Sequence, residues 1–427
     1  MLGATSLVRS PLVGKHARRT GARRGVWPAS LLQPPSLSLP EKGGGESKWQ
    51  LRVTIRLGFV CAAAIALLVP TSPARAEADH AAIAQASLTE VIRPGYSTLA
   101  KATGALNDNI GALCKQPSPD ALQAARDAFA GTADAWSKVE IFRFGPIVQD
   151  HRYERLFYWP DPKSIGLRQV QDALNKQENS VTLPDELAAK SVALQGLPAL
   201  EYLLYGDGAD ALAQGAKVVD GTAPLPEVGG AGAFRCQFAS AVAVNVDRIA
   251  KNVVEGWREG SAYEKAFLGP AADGAIYHSP KEVTLELFKA FASGIELVRD
   301  QKLGKPLGQS ADEAKPKLAA FWRSDLTFAN AVGNLESVRL LFEKGGFAQV
   351  VAADSPGVED SILFDLDHAI EVLGGIGKPI AEAAGDEALR TKLEAVRVGL
   401  KSAGQTAGDI IARGAGLSFG FNAMDGD

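Results

Sequence analysis

The most informative absences from this chain are those of motifs that carry chemistry by themselves. It has no His-Glu-x-x-His zinc motif, no Gly-x-Ser-x-Gly nucleophile elbow, no phosphate-binding loop and no dinucleotide fingerprint. Histidine is scarce, with five residues in a chain of 427. A self-contained hydrolase motif is therefore excluded.

Long alternating runs of Val, Ile and Thr are also absent, which excludes a predominantly β fold. The sequence is instead rich in Ala and Leu, and its apolar residues recur at the 3.6-residue period of an amphipathic helix. Ser118-Pro119-Asp120 and Ser279-Pro280-Lys281-Glu282 are typical helix starts. The predicted helices cover residues 80–114, 119–144, 165–177, 185–205, 232–257, 280–303, 311–345, 358–375 and 383–412, and the predicted loops cover 207–231 and 260–278.

This pattern predicts an all-α protein made of two helical-bundle-like halves. Residues 77–260 form the predicted N-terminal half and residues 261–427 the C-terminal half, with the division inside the Gly-, Pro- and Ala-rich loop 260–278. Gly196 is followed seven residues later by Leu-Leu-Tyr, and Gly333 by Leu-Leu-Phe. This echo fits an internal duplication of a helical bundle.

Residues 51–76 have the composition of an export signal peptide. Arg52 and Arg56 provide a positive start, an apolar run covers 57–69, and an Ala-Arg-Ala triplet ends at Ala76. The apolar run is too short to cross a bilayer as a helix, which needs about 20 residues. We therefore expect cleavage near Ala76 and a periplasmic mature chain without a membrane span.

The segment before this signal is rich in Arg, Gly, Pro and Ser. Residues 1–50 are interpreted as a spurious extension from a mis-assigned gene start, or alternatively as an unusually long presequence. Because the only methionines are Met1 and Met424, a start near the signal would need another codon, and Val53 is the obvious candidate.

Negative charge dominates once the leader is set aside. Residues 1–76 hold 11 of the 45 Lys and Arg residues and 2 of the 49 Asp and Glu residues, so residues 77–427 carry 34 basic and 47 acidic side chains, a formal net charge of −13. An acidic body disfavours nucleic acid and anionic membrane surfaces as partners, and it is compatible with cations.

Cysteine is scarcer still, with three residues. Beyond Cys61, which lies in the apolar part of the signal, only Cys114 and Cys236 remain. Two cysteines in an exported chain indicate one disulfide, which would join helices far apart in sequence. The alternative is a pair of buried free thiols.

Charged residues interrupt an apolar stripe in the second predicted helix. Leu122, Phe129 and Trp136 recur every seven residues on its core face. Glu140 and Arg143 continue that stripe and, being three residues apart, can pair. Because buried charges are costly unless paired or used, the pair is either the wall of a site or a structural ion pair at a helix end.

Two later segments are unusual in composition. Residues 142–162 combine six aromatic residues with charges of both signs, and are interpreted either as a rigid connection lining a site or as a long loop anchored by its aromatics. In the run 196–205, Glu201 has only apolar and aromatic neighbours. A helix that is apolar all round is buried, so Glu201 is predicted to be a buried carboxylate. Its charge would then need to be compensated by Arg143, Arg323, a metal or a proton.

A third candidate is Asp365-x-x-His368-x-x-Glu371, whose spacing could place metal ligands on one helix face. The helical wheel puts the apolar residues of that segment on the core side. His368 and Glu371 are therefore predicted to face solvent, which favours an exposed helix face over a metal site.

Several of these segments together resemble the imelysin-like family of exported bacterial proteins, most closely its predicted periplasmic or lipoprotein branch. The resemblance covers residues 80–427 and rests on combined motifs rather than on any single one. The motifs are Trp136 with Glu140 and Arg143-Phe-Gly-Pro146, Arg152-Tyr-Glu-Arg155 with Trp159-Pro-Asp161, Gly196-Leu-Pro-Ala-Leu-Glu201, Tyr277-His-Ser-Pro-Lys281, Phe321-Trp-Arg-Ser324 and Gly420-Phe-Asn-Ala-Met-Asp-Gly-Asp427.

The resemblance implies an all-helical protein with a site near the junction of its two halves. The family hallmark is Gly-x-His-x-x-Glu, whose His and Glu look like metal ligands; here Pro198 occupies the His position. Glu201 is therefore the only metal ligand that the motif supplies. The residues carried over as pocket members are Glu140, Arg143, Glu154, Trp159, Asp161, Pro198 and Arg323.

The family is catalogued among peptidases and linked with iron-regulated uptake. Our leading hypothesis is a periplasmic protein that binds iron or another metal, or assists its uptake, without catalysis. The alternatives are a metallopeptidase of the imelysin type and an envelope interaction protein whose inherited metal site is degenerate. The expected cofactor is iron, another divalent metal or none, and the expected partners are a metal ion or small ligand and an envelope protein.

Overall fold

The regular structure of the described chain is entirely helical. The computed structural model describes residues 78–214 and 231–417, and these ranges contain no β-strand. The all-α prediction is therefore confirmed. Nine helices in these ranges have nine or more residues: α1 (Arg93–Lys115), α2 (Pro119–Ser137), α3 (Ile165–Lys176), α4 (Leu197–Tyr205), α5 (Ala231–Gly256), α6 (Pro280–Glu296), α7 (Thr327–Lys344), α8 (Val358–Gly374) and α9 (Glu387–Gly414).

Shorter helical segments connect or extend these helices. The α-helical ones are His80–Ala86, Arg152–Leu156, Pro184–Ala188, Ala211–Gln214, Ala262–Leu268, Lys305–Leu307, Phe347–Asp354 and Ile380–Ala383. Ser87–Ile92 and Leu297–Gly304 are π-helical, and Gly145–Ile147, Gln149–His151, Asn179–Val181, Val192–Leu194, Ala311–Glu313 and Pro316–Leu318 are 3₁₀ turns. The predicted extension, the predicted signal peptide, the C-terminal motif and most of the loop 207–231 lie outside the described residues.

The prediction of a helix over 119–144 is wrong at its C-terminal end, because α2 stops at Ser137. A few residues later Gly145 adopts a φ of 79°. A Cβ atom at Gly145 would lie 2.3 Å from the Trp257 ring, so only glycine fits at this turn. The turn carries Phe144 into the core, where its ring centroid lies 6.2 Å from that of Trp257.

The helix predicted over 185–205 is divided into Pro184–Ala188 and α4. Gly196, which precedes α4, passes so close to the Arg152–Leu156 helix that a Cβ atom would lie 2.3 Å from the carbonyl oxygen of Leu156. This close approach is tertiary in origin, and it sets the start of α4.

The helix predicted over 311–345 is also too long, since α7 begins only at Thr327. Phe321 and Asp325 have φ values of 54° and 57°, in the left-handed region. A right-handed helix cannot include that backbone conformation, so the preceding residues form turns and a loop. The predicted loop 260–278 differs as well, because it contains the short helix Ala262–Leu268.

One contiguous apolar core holds the helices together. Helix α1 packs against α2 and α5, α7 packs against α2 and α8, and both α6 and α8 contact α9. The contact between α2 and α7 joins helices on either side of the loop 260–278. The division into two halves and the internal duplication stay predictions. None of the described helices is both long enough and apolar enough to cross a membrane.

A disulfide joins Cys114, near the end of α1, to Cys236 in α5. Their Cα atoms lie 5.6 Å apart although the residues are separated by 122 positions in sequence. The disulfide predicted from the cysteine count is present, and the two helices it joins also pack against each other.

Candidate functional site

Glu201 lies near the middle of α4, and every other residue of that helix is apolar or aromatic. Pro198 occupies the first turn, where its missing N–H costs no helical hydrogen bond. Because α4 is buried, Glu201 is only 3% exposed. The local sequence therefore carries a carboxylate into the protein core.

Three hydrogen bonds from one loop hold this carboxylate. Oε1 of Glu201 accepts from the backbone N–H of Arg323 at 2.9 Å, the N–H of Ser324 at 3.0 Å and the hydroxyl of Ser324 at 2.9 Å. Burial raises the pKa of Glu201 above its ordinary value, and the bonds from Ser324 and the charge of Arg323 oppose the rise. Glu201 thus fixes the loop that precedes α7 onto α4.

A cavity of about 110 Å³ opens beside Glu201. Five residues predicted from the sequence line it: Trp159, Asp161, Pro198, Glu201 and Arg323. Much of the remaining wall is aromatic, with Phe157, Tyr158, Tyr202, Phe321 and Trp322, and Lys317 borders it as well. An apolar cavity of about 150 Å³ accepts benzene, whereas drug-sized ligands need roughly 300–1,000 Å³. The enclosed space therefore suits a group the size of one ring.

The second carboxylate of this pocket is committed to the start of a helix. Oδ1 of Asp161 accepts from the N–H of Ile165 at 2.7 Å, and Oδ2 accepts from the N–H groups of Gly166 at 2.8 Å and Leu167 at 3.4 Å. These amides are in the first turn of α3 and have no partner within the helix. Both oxygens of Asp161 are thus used by the backbone.

Two cations border the pocket with unused hydrogen-bond donors. The Arg323 guanidinium lies 4.2 Å from the ring centre of Trp322 and 5.4 Å from that of Tyr202, and the Lys317 ammonium lies 5.6 Å from the Trp322 ring. In the ranges that the structure describes, neither side chain donates a hydrogen bond or forms an ion pair. Burial lowers the pKa of Arg323, and the charge of Glu201 opposes that effect.

The other three predicted pocket members lie outside the cavity lining. Glu140 is fully buried, Glu154 is exposed, and Arg143 is exposed with its guanidinium 4.9 Å above the Tyr153 ring. The pairing of Glu140 with Arg143 that the spacing allowed is not formed. Because α2 ends at Ser137, the helical geometry that brings residues i and i+3 together is missing at these two positions.

Glu140 pairs instead with Lys302, whose Nζ lies 2.6 Å from its Oε2, and both side chains are fully buried. Asn330 and Asn334 of α7 donate to the same oxygen, at 3.3 Å and 3.1 Å, and Lys302 also contacts Asn330. Burial lowers the pKa of Lys302 to about 8, against the opposing charge of Glu140. Lys302 Nζ lies 5.2 Å from the Trp159 ring, so this network supports the pocket wall from behind.

Sequence reasoning missed Lys302, Asn330 and Asn334 as members of a buried polar network. Asn330, Asn334 and Ser337 lie four and three residues apart on the buried face of α7, so a polar stripe inside an apolar helix was a readable signal. Lys302 gives no such signal, because it lies in the charged segment Leu297–Gly304 and only tertiary packing buries it.

The residues around Glu201 do not fit a metal ion held by protein ligands. Nowhere in the described part of the chain do three His, Cys, Asp or Glu side chains come together as a metal-binding group. Pro198 has no donor atom, Asp161 is occupied by backbone amides, and Arg323 adds positive charge. Glu201 Oε2 is left as a single ligand atom, whereas a zinc site takes at least three from the protein.

The third sequence candidate is on α8 and does not line the pocket. His368 and Glu371 are exposed, as the helical wheel predicted. The ring of His368 stacks on the exposed ring of Phe364, with centroids 6.2 Å apart.

Comparison with solved structures identifies the same fold in two bacterial proteins. An imelysin-like protein from Psychrobacter arcticum 273-4 superposes with a TM-score of 0.64 at 18% identity, over 80% of this chain and 97% of that one. A Parabacteroides distasonis ATCC 8503 protein, described as an iron-regulated protein A precursor, gives a TM-score of 0.64 at 16% identity over the same shares. At such identities the likeness concerns the fold alone.

Sequence comparison provides the family. "Iron-regulated protein A" of Synechococcus elongatus (strain ATCC 33912 / PCC 7942 / FACHB-805) is 20% identical over 254 residues, which are 59% of this chain and 62% of that protein. This chain thus spans about three fifths of that relative's length. Residues 92–403 match the model of the family described as Imelysin, whose label is that of a peptidase. Because this match extends over most of the chain, the chain belongs to the imelysin family.

Proposed function

We propose that this protein is an exported envelope protein that binds a small ligand in the pocket beside Glu201 and catalyses no reaction. The observation that carries the proposal is how the pocket's carboxylates are used: Glu201 Oε1 holds the loop before α7, and Asp161 holds the first turn of α3. Peptide hydrolysis needs a general base or a metal-activated water. Among the carboxylate oxygens of the described pocket residues, Oε2 of Glu201 alone remains for either role.

A role in iron uptake is supported by the names of relatives. The Synechococcus and Parabacteroides proteins are called iron-regulated, and the second is called a precursor, in keeping with the export signal predicted at 51–76. We therefore assign this protein to the periplasm as an accessory of iron uptake. The pocket favours iron already held by an organic chelator over a bare ion, because Arg323 and Lys317 repel a free cation.

Metal analysis tests this proposal most directly. The purified protein and Glu201→Gln, which keeps an acceptor oxygen for the loop, are assayed for metal content and titrated with Fe²⁺ and Zn²⁺. We expect that the unaltered protein holds no stoichiometric metal, so that Glu201→Gln has the same metal content. Stoichiometric binding that depends on Glu201 would instead establish a metal site formed despite Pro198.

Catalysis and regulation need two further measurements. Incubation with casein, with and without a chelator, should leave the substrate intact, and chelator-sensitive cleavage would support the metallopeptidase alternative.

The level of the protein should rise when cells are limited for iron. An unchanged level would remove the argument for a role in iron uptake.

An envelope interaction protein remains the second candidate, favoured by Pro198 in place of a metal ligand. In that case the pocket no longer binds a ligand, and residues on the protein surface bind the partner. Crosslinking in intact cells distinguishes the two, because a stable envelope partner retrieved equally by the unaltered protein and by Arg323→Gln would not depend on the pocket.

A further inference from the structure

We infer that the ligand of this pocket is a small organic anion whose carboxylate is bound by Arg323 and Lys317 and whose body packs against the aromatic walls. The inference rests on the proposed function, since it takes the cavity beside Glu201 to be a binding site. It differs from the expectation of a metal cation that accompanied the family resemblance.

Hydrogen-bond donors and acceptors around the pocket are unequally used. An arginine side chain has five N–H donors and a lysine three, and those of Arg323 and Lys317 have no partners in the described ranges. The acceptors are largely used, because Asp161 accepts from three backbone amides and Glu201 Oε1 from three donors. The unmet capacity is therefore on the donor side, which an anionic ligand complements.

The charged groups around the pocket are also unequally compensated. Asp161 lies at the positive N-terminal end of α3, so the helix dipole and amides already compensate its charge. Three donors from the loop before α7 hold the carboxylate of Glu201, and the charges of Glu201, Asp207 and Asp161 act on Arg323. Arg323 and Lys317 are the charged groups of the pocket that have no hydrogen-bond partner among the described residues, and a bound anion would provide one.

Contacts within the protein hold the Arg323 side chain in place at the pocket. The guanidinium of Arg323 lies near the rings of Trp322 and Tyr202, and its own backbone N–H is held by Glu201. Little side-chain entropy is then lost when the planar guanidinium binds a carboxylate through two parallel hydrogen bonds. The side chain is half-buried, so solvent and salt screen its charge less than that of an exposed arginine.

The cavity restricts the rest of the ligand. Its volume of about 110 Å³ and walls such as Trp159 and Phe321 suit one ring or a short branched acid. Glu201 Oε2 accepts no hydrogen bond from the described residues and can receive one from a ligand hydroxyl. Such an anion enters either free or as the chelator of Fe³⁺. In both cases the group that Arg323 and Lys317 bind is a carboxylate.

Calorimetric titration at low ionic strength tests the inference with four probes: benzoate, benzamide as its uncharged isostere, citrate and ferric citrate. Benzoate should bind at least about tenfold more tightly than benzamide, which lacks the charge-assisted bonds. Arg323→Gln and Lys317→Gln should each weaken benzoate binding, by about tenfold or more for Arg323. The matched control is Arg248→Gln, which replaces an exposed arginine on α5 that pairs with Asp185; it should bind as the unaltered protein does.

The outcomes separate this inference from the proposal beneath it. Equal binding of benzoate and benzamide, or benzoate affinity unchanged in both pocket variants, would refute the anion while leaving a binding pocket in place. A metal site that depends on Glu201 would refute the proposed function itself. If ferric citrate binds more tightly than citrate, the bound carboxylate belongs to an iron chelate. If the two bind equally, it belongs to the free anion. Thermal melts accompany each variant, and Lys317 is exposed, so its replacement should not disturb folding.

Discussion

Replacing Lys302 with methionine should leave the carboxylate of Glu140 buried without its counter-charge. Both side chains are 0% exposed, and Nζ lies 2.6 Å from Oε2. Removing one partner of a buried ion pair costs about 3–5 kcal/mol, mainly because the remaining charge stays desolvated. Methionine has a similar unbranched shape, so a cavity adds little to that cost. We therefore expect the free energy of unfolding to fall by about 3–5 kcal/mol.

A double-mutant cycle isolates the part of this cost that belongs to the pair. Glu140→Gln leaves Lys302 as the uncompensated charge, while the new side chain keeps an acceptor oxygen for the amides of Asn330 and Asn334. The double variant buries no charge at all. Its loss should be smaller than the sum of the two single losses by about 2 kcal/mol or more, as expected for residues in direct contact.

Urea unfolding at neutral pH, followed by tryptophan fluorescence and circular dichroism, measures these free energies. The matched control is Lys138→Met, a lysine whose side chain is 40% exposed and which pairs with Asp134 and Glu336. An exposed pair of this kind contributes roughly 0–1 kcal/mol. Two results would contradict this prediction. One is a loss of unfolding free energy in Lys302→Met no larger than that in Lys138→Met. The other is a loss in the double variant equal to the sum of the two single losses.

Three further predictions follow from other parts of the molecule. Glu201→Ala should lower the free energy of unfolding by about 2–5 kcal/mol because three donors lose their acceptor, and Glu201→Gln by no more than about 1 kcal/mol; equal losses in urea unfolding would contradict this. Burial lowers the pKa of Lys302 from 10.5 to about 8, so the unfolded chain binds more protons over that interval. The contribution of Lys302 to stability should therefore rise from pH 8 to 10, and this rise should be missing in Lys302→Met in melts across that range. Replacing both Cys114 and Cys236 by serine should cost about 3–5 kcal/mol, since the bridge closes a loop of 122 positions, and an unchanged melting temperature would exclude that role.

The all-helical fold class was predictable because it depends on local periodicity. The Ser118-Pro119 and Ser279-Pro280 starts are capped in the structure as the sequence indicated, with each serine hydroxyl accepting from the backbone N–H three residues later. Burial of Glu201 was readable for the same reason, since every neighbour along its helix is apolar. Such signals need only the residues within one or two turns.

The C-terminal end of α2 and the start of α4 were not predictable in this way. Gly145 must leave space for Trp257, and Gly196 must leave space for the carbonyl of Leu156, contacts made across long stretches of chain. No pattern within residues 119–144 contains that information. The same holds for the ion pair of Glu140, whose partner is 162 residues away.

The sequence by itself indicated the helical architecture through its periodicity and the disulfide through its cysteine count, and its resemblance to the imelysin family supplied five of the residues that line the pocket. The tertiary structure decided how those residues are used. It directed Glu140 to Lys302, committed Glu201 and Asp161 to backbone amides, and left the side-chain donors of Arg323 and Lys317 without hydrogen-bond partners among the described residues. The physical reason is that hydrogen-bonding and ionic partners are chosen by proximity in the folded chain, where residues far apart in sequence compete for the same charged groups.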